Sequence, residues 1–161
     1  MNILANIIER LCKGGAYLAG FILIALVGLI LTEIVLRSFF DISTMIADEY
    51  SGYFYLASIF LALGYAFSKD AHIRINIITS RLSKKANRKI DIVAAIITLG
   101  VLFFALYRTI LFTYDSYDLE MLSENVSETP LYLTQLAMPI GITLFILAVI
   151  LFIFKGFSND K

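Results

Sequence analysis

The sequence has one cysteine, one histidine, two prolines and no tryptophan in 161 residues. Each scarcity removes a class of protein. A single cysteine, Cys12, cannot close an internal disulfide, nor supply the cysteine pairs of a disulfide-generating enzyme. One cysteine and one histidine cannot build a metal centre, and a four-helix haem protein needs paired histidines where this chain has only His72. Cys12 is expected to pack as a small apolar helix residue. No nucleophile–base pair falls on a common face, so the parts for general acid–base catalysis are missing and no enzyme is expected.

Charge is scarce too. Charged residues make up 16% of the chain, hydrophobic ones 60%, and the mean hydropathy is +0.85. A water-facing surface cannot be assembled from that composition, so the solvent is a bilayer. Charge-free runs cover residues 14–32, 50–68, 92–107 (resuming after Arg108 to 114) and 129–154. A helix needs about 20 mostly apolar residues to cross ~30 Å of hydrocarbon. The expectation is therefore an all-α, four-span membrane domain occupying 1–161, with spans at about 14–36, 49–68, 90–114 and 131–154. The first run is too long for a signal-peptide core and lacks a small-residue cleavage site, so it reads as an uncleaved helix. A fainter amphipathic pattern at Ile3, Leu4, Ile7, Ile8 and Leu11 extends that helix back to near Asn2, with a bend expected around Gly14 and Gly15.

The thirteen Lys and Arg residues divide unevenly among the connections. Seven of them lie in "SKDAHIRINIITSRLSKKANRK", residues 68–89. With Arg10, Lys13, Lys155 and Lys161 they put eleven on one side and leave two, Arg37 and Arg108, on the other. The positive-inside rule then places both termini and the 68–91 loop in the cytoplasm. Within that loop Ile73, Ile77, Ile78, Leu82, Ala86 and Ile90 recur at helical spacing, with basic residues largely opposite. A basic amphipathic helix lying in the membrane interface is expected over about 76–89.

The spans also lack a route. Intramembrane ionisable residues are costly and usually functional, yet "FILIALVGLIL", "YLASIFLALG", "VAAIITLGVLFFAL" and "GITLFILAVILFIF" contain none. Glu33 lies twenty residues after Lys13, about 30 Å along a helix, at the outer face; Arg37 follows at i+4, within bridging reach. Arg108 lies ~25 Å beyond Asp91, beside Tyr107, Tyr114 and Tyr117 of an interfacial belt. These three charges are either interfacial anchors or pairing groups for another membrane protein. The step Pro139-Ile140-Gly141 reads as a bend relieved by packing. The chain reads as a subunit.

Two stretches carry a family resemblance. "DEYSGYFYLASIFLALGYAFSKDAHIRINII", residues 48–78, resembles the second helix of the small membrane subunit of tripartite ATP-independent periplasmic (TRAP) transporters, the DctQ family. The matching positions are Asp48, Glu49, Gly64, Ala66, His72, Ile73, Ile75 and Asn76. "SETPLYLTQLAMPIGITLFIL" is similar to the start of that family's last helix, through Ser127, Pro130, Tyr132, Pro139, Ile140 and Gly141. The sequence departs from the pattern at Asn76, where the family has an acidic residue, and in lacking a second-helix tryptophan.

The resemblance implies a scaffold subunit in a bacterial inner membrane. Its partners would be a large multi-span subunit, which holds the substrate and sodium sites, and a soluble periplasmic binding protein. That binding protein would deliver an organic acid: a C4-dicarboxylate, sialic acid or a related carboxylate. No cofactor is expected in this chain, sodium belonging to the large subunit, and no nucleic acid is involved. Contacts to the large subunit are expected among Glu33, Arg37, Asp48, Glu49, Gly64, His72, Arg74 and Arg108. The small residues Gly52, Ala57, Ser58, Gly64 and Gly141 allow close helix approach, either to that subunit or among the chain's own helices. His72 and Arg74 face either a cytoplasmic polar contact or lipid headgroups. Asp115, Asp118, Glu120 and Glu124 either help dock the binding protein or form an ordinary solvated loop. The competing reading is a stand-alone scaffold that forms homo-oligomers.

Overall fold

The computed structural model describes residues 2–69 and 84–158. Its helices are α1 (Asn2–Phe40), α2 (Ala47–Ser68), α3 (Lys84–Asp118), the short α4 (Leu131–Gln135) and α5 (Ala137–Ser158). The stretches Ile3–Phe40, Ala47–Ser68, Lys89–Asp118 and Leu131–Lys155 are long and apolar enough to cross a membrane, so the four expected spans are present.

Two of them are longer than their apolar runs. α1 has 39 residues, about 58 Å at 1.5 Å per residue, and runs unbroken through Gly14 and Gly15. Gly15 is a contact point there. A Cβ on it would lie 2.8 Å from the Leu61 carbonyl oxygen and 2.9 Å from Leu144 Cδ1. α3 starts at Lys84, so residues 84–89 of the expected interfacial helix are continuous with the third span. No proline or glycine between positions 80 and 99 interrupts the helix there. The rest of that expected helix, with His72, Arg74 and Asn76, lies outside the described residues.

The last span is split by chemistry legible in its sequence. Pro139 has no N–H and its ring collides with the carbonyl four residues back, that of Gln135. α4 ends at Gln135, and the chain resumes as α5 after Leu136.

α5 is the hub, packing against α1, α2 and α3. Its Ile142, Ile146 and Val149 are buried with Ala95 and Leu102 of α3, and Val149 has no exposed surface. Phe67 of α2 packs on Phe145 and Phe152 with ring centroids 5.4 and 5.6 Å apart. Lipid tails are as apolar as these side chains, so what holds the helices together is close packing. Glycine supplies it where α2 crosses α5. A Cβ on Gly141 would stand 2.3 Å from the Phe60 carbonyl oxygen, and one on Gly64 2.9 Å from that of Leu144 and 3.1 Å from Cys12 Sγ. Cys12 itself is 1% exposed, and its thiol donates to the Leu144 carbonyl oxygen at 3.6 Å.

The two ends of the bundle are distinct. At one end Lys155 Nζ donates to Glu9 Oε1 at 2.6 Å, joining the start of α1 to the end of α5. The first and last helices therefore share a side, as an even number of spans requires. The 41–46 and 119–130 connections lie at the opposite end, the one expected to face outward.

Candidate functional site

The end of the bundle opposite Glu9 and Lys155 is built around two buried carboxylates, each closed by its own chain. The first is Glu33, 6% exposed, near the end of α1. Its Oε1 accepts from Arg37 Nε at 2.6 Å and Ser43 Oγ at 2.7 Å. Its Oε2 accepts from the backbone N–H of Thr44 at 3.0 Å and from the Thr44 hydroxyl. Arg37 also donates to Ser43 at 3.1 Å and keeps 54% of its side chain exposed. A carboxylate accepts at two oxygens and donates nothing, so four donors satisfy it. The effect is to fold the α1–α2 connection back onto α1. The backbone bends sharply to do this, with Asp41 at φ 51° and Met45 at φ 57°.

The second is Glu49, 8% exposed, in the first turn of α2. Negative charge is favoured there, where α2 presents unpaired N–H groups. Oε1 accepts from the Tyr53 hydroxyl one turn on at 2.7 Å, and Oε2 from Ser127 Oγ at 2.6 Å. Ser127 also meets Thr129 Oγ1 at 2.8 Å, and Thr129 meets the Tyr50 hydroxyl at 3.0 Å. Glu49 has no cation in this cluster. The Tyr53 and Ser127 hydroxyls hold it, with Ser123 and Asn125 also acting on the carboxylate, and the loop residues among them tie the 119–130 loop to α2.

That loop is closed on itself as well. At the end of α3, Met121 N–H donates to Ser116 O at 3.0 Å and Glu120 N–H to Tyr117 O at 3.2 Å. Glu120 sits between them at φ 48°. This is the αL capping arrangement that usually takes glycine or asparagine. Farther on, Ser123 N–H reaches Thr129 O at 2.9 Å and Leu131 N–H reaches Met121 O at 3.0 Å. The Tyr117 and Tyr132 rings meet edge to face at 5.3 Å beside an open hollow that Asp118 and Glu120 also line. The loop is thus a fixed platform. Asp115, Asp118, Glu120 and Glu124 all stand exposed on it or at the end of α3.

The residues expected at a partner surface fall into three groups. Glu33, Arg37 and Glu49 make their polar contacts within the chain, and Gly64 faces α1 and α5 of its own bundle. Asp48 and Arg108 are exposed, and a Cβ added to Gly52 would meet nothing within 4 Å. His72 and Arg74 lie outside the described residues. Sequence reasoning did not single out Ser43, Thr44 or Tyr53 as donors to these carboxylates, nor Tyr50 and Thr129 behind Ser127. Ser127 did stand in the last-helix motif, without a role.

Four apolar spans around a packed glycine crossing, with the buried acids capping one end, define a multi-pass membrane protein. Among the described residues, the Glu33 and Glu49 clusters fasten loops at one end of the spans. The chain belongs to the family described as tripartite ATP-independent periplasmic transporters, DctQ component, whose model matches residues 26–159. It is a TRAP transporter small membrane subunit, a transporter component and not a catalytic one. No curated protein matches the chain.

Proposed function

We propose that this chain is the static scaffold subunit of a sodium-coupled importer of an organic acid. The large membrane subunit carries the substrate and the sodium sites, and this chain braces it in the bacterial inner membrane with both termini in the cytoplasm. The observation that carries the reading is the family match over more than four fifths of the chain. The apolar centre of every span supports it, since a chain without a route must act through one that has it.

The loop platform supports a docking role. A soluble periplasmic binding protein approaches from outside, and a loop held in place by Glu49, Tyr50, Ser127 and Thr129 offers it a preformed surface with low ordering cost. Asp115, Asp118, Glu120 and Glu124 would attract complementary positive charge and speed the encounter. The substrate is a C4-dicarboxylate, sialic acid or a related carboxylate.

The test is uptake in intact cells. Deleting this chain should abolish sodium-dependent accumulation of one radiolabelled carboxylate from that set, and re-expression should restore it. Unchanged uptake of every member of the set would overturn the reading.

A further inference from the structure

α3 is the least buried of the four spans. Its helix contacts are with α5 and the short α4, made through residues such as Ala95 and Leu102. The opposite face carries Val93, Ile97 and Phe104, which are 56, 64 and 67% exposed, and Gly100, with nothing within 4 Å of an added Cβ. Their spacings of four, three and four residues make an apolar seam of the kind that packs along a second helix. The open glycine is a notch that lets another backbone approach.

Arg108 ends this seam one turn beyond Phe104. It is exposed, with no hydrogen bond or ion pair among the described residues. Tyr114 and Tyr117 lie about 9 and 14 Å farther out along the helix, and Phe112, 54% exposed, is one turn outward. With Tyr107 beside it and Tyr114 and Tyr117 farther out, the guanidinium starts at the inner edge of the tyrosine belt. Its direction matters as well. Cα–Cβ bonds tilt toward a helix's N-terminus, and the N-terminal end of α3 is the one opposite the outer loop. The side chain leaves the backbone pointing deeper into the bilayer, so reaching the outer headgroups means doubling back past Phe112. An arginine at that depth is paired where it can be.

The other exposed apolar helix differs. α1 has its ionisable pair, Glu33 and Arg37, already closed on each other and on Ser43 and Thr44. We propose that the outward face of α3, with Val93, Ile97, Gly100 and Phe104 along it and Arg108 at its outer end, is the seat of a transmembrane helix of the large subunit that bears an Asp or Glu at the level of Arg108. This rests on the scaffold reading above.

The test uses the transporter assembled in native membranes, with the small subunit tagged. A photo-crosslinking amino acid replaces Ile97 or Phe104, and separately Phe21 or Ile24 on α1. The expected result is a product containing large-subunit peptides from the two α3 positions and none from α1. Arg108→Glu should lower recovery of the large subunit about tenfold or more, because like charges meet in a desolvated seam. Arg108→Lys should retain most of it, and thermal stability of the purified small subunit should not change with either. Cross-links from α1 alone, or full recovery with Arg108→Glu as a lipid-anchored arginine would give, overturn the α3 seat while leaving the scaffold role standing. Failure of the unaltered chain to recover any large subunit overturns both.

Discussion

Ser127 Oγ donates to Glu49 Oε2 at 2.6 Å, across 78 positions of sequence. That bond makes the loop between α3 and α4 part of the same rigid end as the first turn of α2. Without it the 119–130 segment would be a twelve-residue connection held mainly by its own turns. Glu49→Ala removes the acceptor for Ser127 and Tyr53 together. Cleavage of the loop by an added protease should rise on the order of tenfold, since proteolysis follows the population of the opened segment. Ser127→Ala, which leaves Tyr50–Thr129 in place, should have a smaller effect.

The glycine crossing gives a sharper contrast. Gly141→Ala places a methyl group 2.3 Å from the Phe60 carbonyl oxygen, where backbone must move. The expected cost is about 1–3 kcal/mol, typical of overpacking, read as a lower thermal midpoint in detergent. Gly28→Ala meets nothing within 4 Å and should be neutral or slightly stabilising, by up to about 1 kcal/mol of helix propensity.

Much of this architecture is legible in sequence, for identifiable reasons. The spans are charge-free runs, and the Glu33–Arg37 bridge is a local i,i+4 event. The break before α5 follows from Pro139. What could not be read is set by tertiary proximity. Nothing local tells that Glu49 meets Ser127, or that Gly64 and Gly141 face their own bundle. Small residues in a span look alike whether they meet their own helices or another chain's. The expected bend at Gly14 and Gly15 shows the same gap: a glycine pair reads as a hinge, while Gly15 is there for contact with α2.

The ion pair at the other end of the bundle should matter little to stability. Lys155 and Glu9 keep 58 and 50% of their side chains exposed. Lys155→Ala should change stability by no more than about 1 kcal/mol, as for most solvent-exposed pairs. A loss well above that would mean the pair is shielded in the membrane.

Sidedness can be read by thiol chemistry. Cys12 is buried, so the unaltered chain should resist a membrane-impermeant maleimide. A cysteine introduced at Glu124 should label from outside intact spheroplasts, and one at Lys161 only after permeabilisation. The opposite pattern would invert the proposed orientation.

The most direct measurement is flux through the purified chain. Vesicles holding only this polypeptide should take up no sodium and no labelled carboxylate above empty controls. Adding the large subunit and a loaded binding protein should bring uptake on. Transport by the small chain alone would contradict the account, because it would require a polar passage through spans whose centres are packed with Ile142, Ile146 and Val149.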